Sequence, residues 1–220
     1  MKTASRVLGS AFFLEGFEVQ DAPRYGAERR GAPIFAYVRA SRQPINERGI
    51  IRHPDLVTVA DDSLVPVPAA GVLQGLSGRT VMLINSHDTA EVWKKRLNLA
   101  GPVLILPARE EVEDRADLPF AGTACAGAAA RLVGVISRDA LADAIRTELE
   151  PLGPELVDKN IQTALHAYDL MAAHAGSVAE AAHISARTYE KPEWIAMPFE
   201  EADMAAPSIH AAATSVEVKT

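Results

Sequence analysis

Thr80-Val-Met-Leu-Ile-Asn85, the stretch Asp88 to Leu97 behind it, and Val103-Leu-Ile-Leu106 together decide the fold. The two flanking runs are continuously apolar and rich in Val, Leu and Ile. They read as strands buried on both faces, the pattern of a parallel sheet. The segment between them opens on Asp88 as a helix cap, with Glu91 reaching back, and continues helically to Leu97. Leu56 to Ala60 is a third run of the same kind, and Ser63 to Leu76 is broken by Pro66 and Pro68. Strand, helix, strand is the alternation of an open α/β sheet with flanking helices.

Working outward, Thr3 to Glu15 carries Val7, Leu8, Ala11 and Phe12 at helical spacing, with Gly16 placed to cap it. Phe17 to Val19 reads as a short strand, Asp21 to Pro33 as a polar stretch, and Ile34 to Arg39 as a strand. Downstream, Gly122 to Val135 is an Ala/Gly-rich helix able to approach a neighbour closely. Arg138 to Leu149 sets Leu141, Ala144, Ile145 and Leu149 on one face, and Pro154 to Ala173 sets Ile161, Leu165, Tyr168 and Ala172 on one face. Residues 1–173 are therefore read as one α/β domain. Residues 174–220 lose periodicity and are punctuated by Pro192, Pro198 and Pro207, yet keep Tyr189, Trp194, Ile195, Met197 and Phe199. They read as an extended C-terminal arm lying on partner subunits, with a strap across the chain's own domain as the alternative.

The 220 residues are 48% hydrophobic and 23% charged, the balance of an ordinary globular protein. A net charge of -7 without a long Lys/Arg run argues against a nucleic-acid surface. No apolar stretch reaches membrane-span length and no signal-peptide cleavage site is evident, so a cytoplasmic location is expected. The single cysteine, Cys125, excludes an internal disulfide or a cysteine-ligated cluster built from these residues alone, and its small apolar neighbours suggest a buried structural thiol. The histidines at 53, 87, 166, 174, 183 and 210 lack metal-ligand spacing. Ser10, Ser63 and Ser86 lack a nucleophile elbow. Asp61-Asp62-Ser63 follows the Leu56 to Ala60 strand, at the end where open sheets bind ligands, although capping by Asp62 or Ser63 serves as well.

Asp21-Ala-Pro-Arg-Tyr-Gly-Ala-Glu-Arg-Arg-Gly-Ala-Pro33 is the unusual stretch. Pro and Gly fix its backbone, and it presents a carboxylate, Glu28, beside two guanidiniums, Arg29 and Arg30. That suits ionic contacts to a partner or to phosphate groups. The alternative is a Glu28–Arg pair that simply ties down the turn.

With Tyr25-Gly26-Ala27-Glu28-Arg29-Arg30-Gly31-Ala32-Pro33, the chain resembles the gamma subunits and gamma domains of pyruvate and other 2-oxoacid:ferredoxin oxidoreductases. The resemblance extends through Ala4-Ser5-Arg6-Val7-Leu8-Gly9, Gly16, Asp55-Leu56-Val57, Gly122-Thr123 to Ile136, and Leu156-Val157-Asp158-Lys159-Asn160 with Ala164 and Tyr168, covering roughly residues 3 to 172. It implies a non-catalytic subunit of a complex that oxidatively decarboxylates a 2-oxoacid with coenzyme A. It implies alpha and beta subunits holding thiamine diphosphate and Mg, a ferredoxin-like delta subunit holding iron–sulfur clusters, and in some members an FAD/NAD-reducing subunit. This chain alone would bind no cofactor. Tyr25, Gly26, Glu28, Arg29, Arg30 and Gly31 would serve coenzyme A access or the subunit interface. Pyruvate is the default substrate, with an aromatic 2-oxoacid such as phenylglyoxylate as the alternative. In the family a strand and a glycine-rich turn stand before the first helix, where Met1-Lys2-Thr3 stands here, so the cellular polypeptide is expected to begin upstream. The competing reading is a free-standing nucleotide- or flavin-binding α/β module.

Overall fold

The computed structural model describes residues 2–24, 35–107 and 121–178. The chain divides into two units, residues 1–180 and 181–220, and all the described residues belong to the first. The arm expected at 174–220 lies outside them apart from residues 174–178.

The first helix, α1 (Lys2–Leu14), buries Ala4, Val7 and Ala11. It ends where Gly16 turns left-handed at φ 80°, which lets the Phe17 amide reach the Phe12 carbonyl at 3.1 Å. Two strands follow, β1 (Glu18–Arg24) and β2 (Phe35–Ser41), paired as an antiparallel ribbon. β1 is longer than the expected Phe17 to Val19. Asp21 to Arg24, read as part of a polar stretch, continue the strand because β2 pairs with all four, and a two-stranded ribbon has open edges that tolerate Pro23.

The parallel sheet follows: β3 (Leu56–Val59), β4 (Val81–Ser86) and β5 (Val103–Pro107), in the order β3-β4-β5. Between β3 and β4 the prolines leave only two short 3₁₀ turns, Asp62–Leu64 and Pro68–Ala70. Helix α2 (Ala90–Leu97) links β4 to β5. Its cap is Thr89, whose hydroxyl accepts from the Val92 amide, and not Asp88 as the sequence suggested. Asp88 is drawn away because its amide donates to Ser86 Oγ and its carboxylate pairs with Arg96.

The helices α3 (Ala121–Val133), α4 (Arg138–Leu149) and α5 (Pro154–Leu170) complete the unit. β4 is buried on both faces, so its alternation is one of partners. Val81 and Leu83 pack with Cys125, Ala128, Leu132 and Ala167 of α3 and α5, while Met82 and Ile84 pack with Trp93 and Val103 on the α2 side. The other faces of α3 and α5 pack against α1 and α4 through Ala126, Ala130, Ile145, Ile161 and Tyr168. Leu141, Ala144, Ile145 and Leu149 of α4 are all buried, as expected. Ala172 is exposed instead, because α5 stops at Leu170 and Met171 takes the next inward place. Residues 174–178 remain on the domain: the Gly176 and Val178 amides donate to the Arg131 and Leu132 carbonyls at the end of α3. These bonds satisfy two of the helix's terminal acceptors.

α3 and α5 approach closely at Gly127, where an added Cβ would lie 2.0 Å from the Ala164 carbonyl oxygen. Gly127→Ala should therefore cost about 2 to 3 kcal/mol through backbone displacement. Gly9→Ala in α1 meets only ordinary contact at 3.4 Å and should be neutral or slightly stabilising, by up to about 1 kcal/mol. Urea unfolding of both variants checks this; equal midpoints would refute the packing argument. Burial pushes the Cys125 thiol up to about 11 from 9.0. The folded state therefore keeps this proton where the unfolded chain has lost it, and stability should fall as pH rises from about 9 toward 11. The same burial should leave Cys125 unreactive toward an aromatic disulfide reagent until the chain is denatured.

Candidate functional site

The ribbon carries the stretch that the sequence marks for recognition. Two strands alone are marginal in water, and α1 supports these: a Cβ at Gly9 would touch Val19 Cγ1 at 3.4 Å and Asp21 Cβ at 3.7 Å. Val19 and Asp21 thus lie on the α1 side. By strand alternation Gln20 and Ala22, with their partners Arg39 and Tyr37, take the opposite side. There Arg39 donates to Gln20 Oε1 at 2.7 Å and stands 3.8 Å from the Glu47 carboxylate. Phe17 at the foot of the ribbon is held by Phe12, edge to face at 5.5 Å, and by the Arg42 guanidinium at 4.2 Å. The ribbon's last described pair is Arg24 with Phe35. Tyr25, Gly26, Glu28, Arg29, Arg30 and Gly31 themselves lie outside the described residues.

A second polar locus stands at the carboxyl ends of the parallel strands. Ser86 Oγ donates to Asp62 Oδ2 at 2.6 Å and accepts from Trp93 Nε1 and the Asp88 amide, each at 3.0 Å. Its hydrogen and both lone pairs are engaged, so this hydroxyl ties two strand ends to α2 rather than attacking a substrate. Asp61, and neither Asp62 nor Ser63, caps the first 3₁₀ turn, accepting from the Ser63 amide at 3.0 Å and its hydroxyl at 2.6 Å. Ser10 donates to Glu148 at 2.8 Å. Beside Ser86 an open depression of about 760 Å³ runs along β5 and takes in His87, Thr89, Glu91, Lys94 and His174. A hydrogen bond from its own backbone amide, and then one from the Thr89 hydroxyl, holds the Glu91 carboxyl below its ordinary pKa. Among the described residues no group of three His, Cys, Asp or Glu side chains converges on a metal site. His183 and His210 lie outside them.

A third feature went unread in the sequence as a spatial unit. Thr123 donates to Asn160 Oδ1 at 2.8 Å, and Asn160 Nδ2 donates to the Leu156 carbonyl at 2.8 Å. Both side chains are buried, and an added Cβ at Gly122 would meet Ala4 Cβ at 3.5 Å. Residues near the starts of α1 and α3 and midway along α5, quoted separately from three stretches, thus meet in one place. The signal available was a Thr and an Asn on otherwise apolar helical faces, since buried polar groups are almost always paired.

Residues 1–170 match the family model described as "Pyruvate ferredoxin/flavodoxin oxidoreductase". The chain is 34% identical over 168 residues to the "Pyruvate/ketoisovalerate oxidoreductases common subunit gamma" of Pyrococcus furiosus, covering 76% of this chain and 88% of that one. It is 32% identical over 174 residues to the "Pyruvate synthase subunit PorC" of Methanothermobacter marburgensis, covering 79% and 92%. The crystal structure of the pyruvate oxidoreductase subunit PORC from Thermotoga maritima superposes with a TM-score of 0.62 at 26% identity, over 76% of this chain and 88% of that one. A match of this extent, carried by the same α/β architecture, places the chain in the pyruvate ferredoxin/flavodoxin oxidoreductase family, among its gamma-type subunits.

Proposed function

We infer that this chain is a non-catalytic gamma subunit of a complex that converts a 2-oxoacid and coenzyme A to acyl-CoA and CO2, passing two electrons to ferredoxin or NAD. The observation that carries this reading is the family match through residues 1–170, with relatives whose printed names call them subunits. Pyruvate is the expected substrate, with phenylglyoxylate as the aromatic alternative. Thiamine diphosphate with Mg and iron–sulfur clusters belong, in this reading, to alpha, beta and ferredoxin-like delta subunits. The donor set agrees: Cys125 is the one cysteine in 220 residues and is buried with its thiol pKa raised, unsuited to cluster ligation. No step of the chemistry is therefore assigned to a cofactor on this chain.

In this reading Tyr25, Gly26, Glu28, Arg29, Arg30 and Gly31 form a recognition element for coenzyme A access or the subunit interface. Two adjacent guanidiniums suit the phosphates of coenzyme A, because each fork binds two oxygens at once. The apolar anchors Trp194, Met197 and Phe199 suit an arm laid on a partner subunit.

Replacing Arg29 and Arg30 by Ala should raise the KM for coenzyme A by about tenfold or more, equivalent to about 1.4 kcal/mol, or release the chain from the complex. A fully active, intact assembly with an unchanged KM would defeat the assigned role. Purification of the native complex and assay of coenzyme A-dependent oxidation of pyruvate, 2-oxoglutarate and phenylglyoxylate should show pyruvate as the preferred substrate. A chain that purifies as a stable monomer binding flavin or nucleotide would support the free-standing module instead.

A further inference from the structure

One end of the helical layer gathers chain segments far apart in sequence. The end of α1 meets the start of α4, where the Glu15 carboxylate accepts from the Ser137 amide at 2.8 Å. Hydrogen bonds from the Ser137 hydroxyl and then its amide, with the Arg42 charge behind them, hold the Glu15 carboxyl below its usual pKa. The start of α4 in turn meets the end of α5. Arg138 pairs with Asp169, and the Tyr168 hydroxyl donates to the Ile136 carbonyl at 3.0 Å. At this end four large apolar side chains stand in solvent: Phe13 at 70% exposure, Leu14 at 53%, Leu170 at 46% and Val135 at 43%. A single exposed apolar side chain needs no explanation, but several gathered at one end of a fold mark an interaction surface.

A second observation identifies the kind of partner. Arg131, in the last turn of α3, stacks its guanidinium 4.9 Å from the Tyr168 ring and donates to the Tyr168 hydroxyl at 3.3 Å. Its Nε is buried without a hydrogen-bond partner, and no ion pair among the described residues neutralises it. Arg138 stands 5.9 Å from the same ring. This end therefore combines exposed apolar groups with a half-buried cation that lacks a counter-charge among the described residues. A two-fold contact with a second copy would oppose each patch to itself. The carboxylates this end carries, Glu15 and Asp169, are already engaged by Ser137 and Arg138, so the same end of a second copy would bring Arg131 no free anion.

We propose that the end formed by Phe13, Leu14, Val135 and Leu170, with Arg131 at its edge, is the face that docks a different subunit of the oxidoreductase, one presenting apolar side chains and a carboxylate. This rests on the reading above that the chain works inside a complex. Docking buries the four apolar groups and supplies Arg131 with the anion that none of the described residues provides.

Hydroxyl-radical footprinting of the free chain and of the purified complex tests the face, with Ile50, 46% exposed and on a different segment, as the internal reference. The ratio of labelling at Phe13 to that at Ile50 should fall by at least about threefold on assembly, as expected for a side chain entering an interface core. Leu14→Arg, at a solvent position, should leave the free chain's melting unchanged while loosening its hold on the complex at least about tenfold. An assembled complex with an unchanged ratio overturns the proposed face while leaving the subunit reading intact. So does protection that already appears in concentrated free chain, since a second copy would then be the occupant. A chain that enters no complex sinks both.

Discussion

The approach of α3 to α5 at Gly127 is the constraint on which the rest of the unit depends. These two helices form a middle layer, with the parallel sheet on one side and α1 with α4 on the other. A middle layer must be apolar on two faces, which is why α3 buries eight residues, four of them alanine and one a glycine. Small side chains contribute little apolar area each, so cohesion comes from close backbone approach, from Leu132 of α3, and from the larger side chains of the neighbours, Leu83, Ile145 and Ile161. A Cβ at position 127 would separate the two helices at the point where both flanking layers converge.

That constraint reaches the ribbon through α1. α1 packs on α3 and α4 with Ala4, Val7 and Ala11, and its other side receives Val19 and Asp21 of β1 beside Gly9. The ribbon's placement therefore depends on α1, and α1's placement depends on the α3–α5 pair. The buried Thr123–Asn160 bond ties the same region together. Breaking it would deprive two buried polar groups of a hydrogen bond, which is more destabilising than never having had the pair.

The elements most legible from sequence were those whose periodicity carries one meaning. The three parallel strands were readable because they are continuously apolar, and α4 because Leu141, Ala144, Ile145 and Leu149 repeat at helical spacing. What resisted reading had rival local solutions. Asp88 and Thr89 are both good caps, and only Arg96, two turns on, and Ser86 decide between them. Asp21 to Arg24 are polar and contain a proline, and pairing with residues 35 to 38 makes them strand. Ala172 continues the helical period, yet α5 ends before it. The polar loci were less legible still. Ser86 meets Asp62 across 24 residues and Thr123 meets Asn160 across 37, and no local pattern records either distance.

The polar groups in this unit divide by what surrounds them. Ser86 and Thr123 are buried in networks that engage them, and such groups add specificity to the fold without offering chemistry. Among the described residues the buried side-chain donor left over is the Nε of Arg131, at the end of the helical layer. Arginine keeps its charge under all ordinary conditions, so it cannot relieve an unfavourable site by losing a proton as a lysine or histidine can. A half-buried arginine without a counter-ion is therefore tolerated only where something offsets it. Within the unit the Tyr168 ring and the carboxyl end of α3 do so in part. The remainder is a free energy that a group beyond the described residues can recover.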